Sequence, residues 1–351
     1  MLLAAALTAL VLWAVHNHWY RGRFQWGKFA ESFLEIEWKW VVASSALALA
    51  SYYVRALRWS VMLKPLQPTS NAWRLFKATA IGFTVVVLLG RPGEFVRPYL
   101  IALKERVPLS SQFASWLLER ILDLLAVLVI FSYAASRIGH SHANLGPPFR
   151  WSLEAGGWAA ALLGLVCLAL LVMFGRFSGT ARRRLLDALS FLPSRYHKRT
   201  ERIVTAFLEG TAATKQPGSA SRLIAYTLLE WVTIVLCILC LFRAFDETSA
   251  LGVQDALLFL GLVSFGSILQ IPGVGGGMQL LAIIVLTQLY GVRLEAATSI
   301  AIMFWIVTFV VIMPPGLLFA CQEGFNWRKL RDLERRAVRA EAAEPVPEAA
   351  L

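Results

Sequence analysis

The chain has 351 residues, of which 58% are hydrophobic, and its mean hydropathy is +0.61. One soluble core cannot bury so much apolar surface, and the apolar runs approach the thickness of a bilayer, so a soluble protein is excluded. The 34 Lys and Arg against 22 Asp and Glu do not indicate nucleic-acid binding. The positive charge lies in loops beside apolar runs, which is the positive-inside pattern of membrane proteins.

The apolar runs predict a polytopic helical membrane protein. The first run, about 1 to 18, lacks a basic start and a small-residue cleavage site, and therefore predicts a retained helix. Two later runs are interrupted by glycine and proline, whereas the others predict single spans. The later runs cover about 39 to 63, 75 to 103, 112 to 135, 156 to 175, 222 to 243, 253 to 290 and 295 to 320.

Loop charges predict how the interrupted runs enter the membrane. The 176 to 222 loop holds ten Lys and Arg against three acids and should be cytoplasmic, whereas the acidic 244 to 255 connection should be outside. The 75 to 103 run must then start and finish in the cytoplasm, and the 253 to 290 run outside. At 29 residues the first is too short for two spans, although the 38 residues of the second leave two spans open. Re-entrant hairpins from opposite faces satisfy both and form an inverted repeat.

The two interrupted runs also resemble each other in sequence at a spacing of 185 residues. Paired broken segments in corresponding halves indicate the substrate site of a transporter, and chance similarity of Ala- and Leu-rich segments is the alternative. The aligned pairs are Gly90 with Gly275, Glu94 with Gln279, Val107 with Val292, and Leu109 with Leu294.

Charged residues occupy the otherwise apolar 112 to 135 run, namely Glu119, Arg120 and Asp123. Each ionised residue at a helix centre costs roughly 2.5 to 3.5 kcal/mol on insertion scales, so these side chains must face protein or water. Arg120 meets Asp123 at i, i+3, which makes a local pair available. Two interpretations stay open: an ion pair that orients helices, or a wet cavity where Arg120 meets an anion.

The first broken segment combines helix breakers with charge. Arg91, Glu94 and Arg97 surround Pro92 and Gly93, and the freed backbone amides at a half-helix N-terminus suit phosphate. The second glycine cluster offers similar access, or else only close helix packing through small residues. The predicted hinge or close-approach residues are Pro92, Gly93, Pro272, Gly273, Gly275, Gly276 and Gly277.

Polar residues on two other helices complete the predicted site. Arg55 and Arg58 lie near the inner end of their helix, where snorkelling to head groups is favoured, and Trp59 suits an interfacial aromatic belt. Glu230 and Trp231 are predicted to add to a polar lining. The substrate-binding candidates are Arg91, Glu94, Arg97, Glu119, Arg120, Asp123, Arg58, Glu230 and Gln279.

Covalent chemistry is not indicated, because the five histidines flank apolar runs and no nucleophile motif is present. The sequence therefore predicts no metal, no cofactor and no catalytic residues. The four cysteines lie in or beside apolar segments without further metal ligands.

These motifs resemble the lysylphosphatidylglycerol synthase transmembrane-region family, whose members are flippase-like. The resemblance covers roughly 40 to 320, and it implies a membrane region that moves lipid between leaflets. Three departures stand out: we expect no transferase domain after Cys321, because the residues there could not bury a soluble core, Gln279 stands where a glutamate is expected, and no arginine lies near Trp305. The motifs are Arg55-Ala-Leu-Arg58-Trp59, Gly90-Arg91-Pro92-Gly93-Glu94 with Arg97, Glu119-Arg120 with Asp123, and Pro272-Gly273-Val274-Gly275-Gly276-Gly277.

The sequence thus predicts an all-α polytopic membrane protein with about six spanning helices and two re-entrant or broken hairpins in an inverted repeat. Residues 1–321 would form the flippase-like domain, with halves at about 39–135 and 222–320, a cytoplasmic amphipathic loop at 176–221 and a charged cytoplasmic tail at 322–351. We expect a location in the cytoplasmic (inner) membrane, with both termini in the cytoplasm. We also expect membrane lipids as partners, no nucleic acid, and homo-oligomers left open. Lipid translocation is the leading hypothesis; an enzyme that modifies lipid and a small-solute transporter are the alternatives.

Overall fold

A computed structural model describes residues 24–137, 147–176, 218–266, 270–271 and 275–323. The predictions for the first apolar run, for most of the amphipathic loop and for the tail beyond 323 lie outside these residues. Apart from one two-residue β-ladder, the regular structure in these ranges is helical.

The helices follow the predicted apolar runs closely. A 3₁₀ turn at Arg91–Phe95 joins α3 to α4, an antiparallel ladder of β1 and β2 joins α8 to α9, and a π-helical segment at Ile306–Val310 joins α10 to α11. The bounds are α1 Trp26–Leu34, α2 Trp38–Leu63, α3 Ala72–Leu89, α4 Val96–Glu105, α5 Leu109–Ser136, α6 Pro147–Arg176, α7 Ser219–Arg243, α8 Val253–Gly266, β1 Gln270–Ile271, β2 Gly275–Gly276, α9 Gly277–Gln288, α10 Leu294–Trp305 and α11 Met313–Gln322.

Several helices are long enough to cross a bilayer. Four segments in the described ranges combine that length with apolar composition: α2, α3, α7 and the continuous stretch Leu294–Gln322. Helix α5 has 28 residues, about 42 Å at 1.5 Å per residue, but carries the charged residues Glu119, Arg120 and Asp123 near its middle. Helix α6 has 30 residues. The predicted all-α polytopic membrane fold is confirmed.

Both interrupted stretches fold back on themselves. In the first, Arg74 Nη1 at the start of α3 lies 3.9 Å from Glu105 Oε1 at the end of α4, so the stretch starts and ends at one level. In the second, the Tyr290 hydroxyl donates to the Asp255 carbonyl oxygen at 3.3 Å. Helices α8 and α9 have 14 and 12 residues, about 21 and 18 Å, which is short of the hydrocarbon core of about 30 Å. The second stretch is therefore a hairpin and not two spans.

The first helices of the predicted halves, α2 and α7, pack against each other in opposite directions. The Ser44 hydroxyl donates to the Cys237 carbonyl oxygen at 2.8 Å, and Arg58 Nη1 donates to Thr227 Oγ1 at 3.3 Å. Residue numbers rise along α2 as they fall along α7, so the helices are antiparallel. Equivalent helices that run in opposite directions are the geometry of an inverted repeat.

Each hairpin packs on the last helix of the other half. Helix α3 meets α11 through Phe76 and Phe319, with ring centroids 6.0 Å apart. Helix α8 meets α5 through Phe265 and Phe131, with ring centroids 5.7 Å apart. This reciprocal exchange joins the two halves into one helical body.

Backbone conformation repeats at the same 185-residue spacing. Arg106 and Gly291, which the spacing aligns, both have left-handed conformations with φ of 56° and 67°. The following helices α5 and α10 begin at the aligned residues Leu109 and Leu294. Glycine adopts this conformation freely, whereas Arg106 does so at a cost, so its geometry is imposed by the hairpin.

Gly93 permits the first hairpin to close. A β-carbon at this position would lie 2.6 Å from the Val86 nitrogen and 2.7 Å from the Val85 carbonyl oxygen. We expect Gly93→Ala to lower the free energy of unfolding by about 1 to 3 kcal/mol, because backbone cannot yield as a flexible side chain would. Thermal unfolding in detergent measures the loss. The control is Gly27→Ala in α1, whose β-carbon would meet nothing within 4 Å; an equal loss in both variants would contradict the prediction.

Candidate functional site

A buried guanidinium lies at the centre of a charged network between α2, α5 and α7. Arg58 is 0% exposed. Its Nη2 lies 2.7 Å from Glu119 Oε1, and its Nη1 lies 2.8 Å from Asp123 Oδ1 and 3.1 Å from Glu230 Oε2. One cation thus holds three carboxylates from two other helices, which fixes how these helices pack.

Glu119 is the most fully bonded of these carboxylates. Besides the hydrogen bond from Arg58, it accepts one from the Trp59 indole at 2.6 Å and one from Arg97 Nη2. The Arg97 guanidinium also lies over the Trp59 ring, 4.5 Å from its centroid. Helix α4 of the first hairpin is thereby tied to α2 and α5, and Gly82 on α3 leaves the space that the Arg97 side chain occupies.

Arg55 and Arg120 extend the network at its edge. Arg55 Nη2 lies 2.8 Å from Glu230 Oε1, and Arg120 Nη2 lies 3.1 Å from Asp123 Oδ2. The predicted local pair of Arg120 with Asp123 is therefore present. The network consists of four arginines and three carboxylates, so its formal net charge is +1. Glu94 lies in the same cavity wall as Arg55, Arg97 and Arg120 and is not included in this sum.

A cavity of about 370 Å³ lies beside the network, between the two halves. One part of its wall is charged and the rest is predominantly apolar. Three arginine nitrogens at the charged end, Arg55 Nε, Arg97 Nη1 and Arg120 Nε, are buried without a hydrogen-bond partner among the described residues. The charged wall is formed by Arg55, Glu94, Arg97, Arg120 and Asp123, and the apolar wall includes Val127, Ile234, Ile238, Leu260, Val263, Met278, Phe304 and Phe309.

The cavity is not closed over between α5 and α8. Leu124 and Phe265 line it and are 44% and 41% exposed, so an apolar edge of the cavity is accessible there. Where such an edge lies within a bilayer, it contacts lipid, because exposed apolar side chains are the surface that hydrocarbon covers. The cavity can therefore receive an alkyl chain from the side while its charged end holds a polar group.

The structure brings most of the predicted binding residues together. Glu119, Asp123, Arg58 and Glu230 form the network, and Glu94, Arg97 and Arg120 line the cavity. Gln279 lies apart from them at the start of α9, where its side-chain oxygen accepts from the Gly276 N–H. The Arg91 and Pro92 side chains, and Pro272 and Gly273, lie outside the described residues; Gly275 and Gly276 form β2, and Gly277 begins α9.

Two interpretations from the sequence are wrong. Arg55 and Arg58 do not snorkel to lipid head groups, because both point inward and pair with Glu230. Trp59 is fully buried and bonded to Glu119, so it does not belong to an interfacial belt. The spacing of Arg55, Arg58 and Trp59 on one helix face was the available signal, but the sequence alone does not show that buried carboxylates lie opposite that face.

Comparison with known families decides the identity of this fold. The family described as the lysylphosphatidylglycerol synthase TM region matches residues 1–316. The chain belongs to this family. Searches of curated proteins and of solved structures gave no match.

Family membership agrees with the resemblance expected from the motifs. It makes the chain a lipid-related membrane protein of the lysylphosphatidylglycerol synthase TM region type. At the two departures in the second half, Gln279 and Trp305, the neighbouring apolar residues Met278 and Phe304 line the cavity. In this member, the charges that line the described cavity all come from the first half.

Proposed function

We propose that the protein translocates a phosphate-bearing lipid between the leaflets of the membrane. The observation that carries the proposal is the two-part cavity, with arginines at one end, apolar walls and a side opening at Leu124 and Phe265. A volume of about 370 Å³ falls within the range of ligand sites, roughly 300 to 1,000 Å³, and suits a head group with the start of its chains.

The physical reason lies in the barrier to unaided flip-flop. A charged head group loses its hydration in hydrocarbon, and this cost is large unless other polar groups replace the water. The unpartnered nitrogens of Arg55, Arg97 and Arg120 offer such groups at the depth of Asp123, which lies midway along α5. The chains stay in lipid throughout, because the cavity is open at its side.

The side opening favours a lipid over a small solute. A small-solute transporter needs a pocket closed to hydrocarbon, since its polar substrate gains nothing from contact with alkyl chains. Leu124 and Phe265 instead join the cavity to the exposed apolar face.

We place the protein in the cytoplasmic membrane, with the basic 176 to 222 loop inside. Ten Lys and Arg in that loop support this orientation, because positively charged loops stay in the cytoplasm. Both termini would then be cytoplasmic. Labelling of single cysteines introduced at 200 and 247, in a variant whose four native cysteines have been replaced, with an impermeant reagent tests the orientation, and equal labelling from outside would contradict it.

Translocation can be tested in proteoliposomes that contain trace amounts of fluorescent phosphatidylglycerol, phosphatidylethanolamine or phosphatidylcholine. Dithionite destroys the outer-leaflet dye, so faster and more complete quenching than in empty vesicles reports movement. We expect wild type to accelerate at least one lipid class and Arg120→Gln to slow it. Mass spectrometry of the same vesicles shows whether a lipid is chemically changed, as an enzyme would require.

The matched control for Arg120→Gln is Arg293→Gln. Arg293 lies in the turn before α10, pairs with Glu247 and has a side chain that is 55% exposed, so it lies outside the cavity. Failure of wild type to accelerate any class, or equal slowing in both variants, would remove the proposal.

A further inference from the structure

Glu230 differs from the other carboxylates of the network in how it is held. Glu119 accepts hydrogen bonds from Arg58, Trp59 and Arg97, and Asp123 accepts one from Arg58. Glu230 is 0% exposed, and its two oxygens lie 2.8 Å from Arg55 Nη2 and 3.1 Å from Arg58 Nη1, in ion pairs that lack hydrogen-bond geometry. Its ionised form therefore depends on the charges of its neighbours and not on directed hydrogen bonds.

The nearest of these charges belongs to a residue of the cavity wall. Arg55 Nη2 lies 2.8 Å from Glu230 Oε1, and Arg55 also lines the cavity beside Arg97 and Arg120. Its guanidinium thus stands between a buried carboxylate on one side and the proposed head-group position on the other. An anion in the cavity competes with Glu230 for the same cation.

Loss of Arg55 would leave Glu230 poorly compensated. The facing groups are Tyr52, Arg55 and Arg58 from α2, and Glu119 and Asp123 from α5. Arg58 would remain 3.1 Å from Glu230, but it is shared with the two carboxylates of α5, and those carboxylates repel the charge of Glu230. A buried charge that loses the nearer of its two partners is less favourable, and protonation removes it.

We propose that the arrival of a lipid phosphate at Arg55 is coupled to protonation of Glu230, so that the protein carries a proton with each lipid. A proton from the aqueous phase, relayed through water in the cavity, adds to a Glu230 oxygen when Arg55 turns to the phosphate. The proton returns to water when the lipid leaves and Arg55 pairs with Glu230 again. The proposal rests on lipid translocation as the function and adds the ion that accompanies it.

A pH gradient tests the coupling directly. Proteoliposomes with a labelled phosphatidylglycerol tracer are given a gradient of one pH unit in either direction, with potassium and valinomycin holding the membrane potential at zero. If one proton moves with each lipid, the equilibrium ratio of the tracer between leaflets shifts by up to tenfold and reverses with the gradient. A ratio that stays the same in both gradients overturns the coupling even if the lipid moves. A lipid that never moves overturns the proposed function itself.

Variants assign the coupling to Glu230. In Glu230→Gln we expect the tracer to approach the same ratio in both gradients, at a reduced rate. Glu105→Gln is the control, because Glu105 is also buried but lies outside the cavity, near Arg74; it should keep the full shift. Retention of the shift in Glu230→Gln would overturn the assignment.

Binding provides a second measurement that needs no transport. Wild type in weakly buffered detergent is mixed with a short-chain phosphatidylglycerol, and a pH indicator follows proton uptake. We expect uptake by wild type and by Glu105→Gln, and much less uptake by Glu230→Gln at equal lipid binding. Lipid binding without uptake in wild type would overturn the coupling, even if the Glu230 variant did not fold.

Discussion

Replacement of Arg58 by alanine is expected to lower the free energy of unfolding by about 3 to 5 kcal/mol. The guanidinium contacts Glu119, Asp123 and Glu230 at 2.7, 2.8 and 3.1 Å and is fully buried. Its removal leaves three carboxylates competing for the remaining arginines and opens a void between α2, α5 and α7. Thermal unfolding in detergent, together with the fraction of monodisperse protein after purification, measures the effect.

The control is Lys39→Ala at the start of α2. The side chains of Lys39 and its partner Glu37 are 72% and 46% exposed, a setting in which an ion pair contributes at most about 1 kcal/mol. If Arg58→Ala were no less stable than this control, Arg58 would not be the structural centre of the network.

Arg97→Ala is expected to slow lipid translocation by about 10- to 100-fold, because a hydrogen bond to a charged group contributes about 1.5 to 3 kcal/mol. Arg97 is only 4% exposed, lines the cavity and has a free Nη1 among the described residues. Glu119 keeps its bonds from Arg58 and Trp59 in the variant, so folding should be affected less than by Arg58→Ala. Dithionite quenching and thermal unfolding, measured on one preparation, separate the two effects.

Lys104→Ala is the matched control for Arg97→Ala. Lys104 lies on the same helix, α4, but pairs with Glu323 and is absent from the cavity wall. We expect translocation close to wild type. An equal loss in both variants would indicate that removal of any cation from α4 disturbs the hairpin.

The hairpins could be predicted from the sequence because the residues that cause them lie within the two apolar stretches and in the loops beside them. Glycine and proline interrupt the two apolar stretches, and loop charges fix on which side each must begin and end. The structure accordingly closes each stretch on itself, through Arg74 with Glu105 and through Tyr290 with Asp255. Helix starts at Leu109 and Leu294 follow the sequence repeat.

The centre of the site could be predicted only in part. The charges at Glu119, Arg120 and Asp123 stand out because they interrupt an apolar run, so their energetic cost is visible in the sequence. Arg55 and Arg58 do not stand out, since basic residues near a helix end are common in membrane proteins. Their pairing with Glu119, some 60 residues away, and with Glu230, some 170 residues away, depends on helix packing, which no local pattern encodes.

The restriction of cavity charges to one half shapes how a head group would travel. At the 185-residue spacing, Phe304 and Met278 of the second half align with Glu119 and Gly93 of the first, so the described residues of the second half present apolar side chains to the cavity and no cation. A head group that crosses the cavity would then have one favourable binding position, at the arginines, and no matching position in the second half. The rate of translocation would then depend on release of the head group from the arginines. Additional cations at that position would bind the head group more tightly and slow its release.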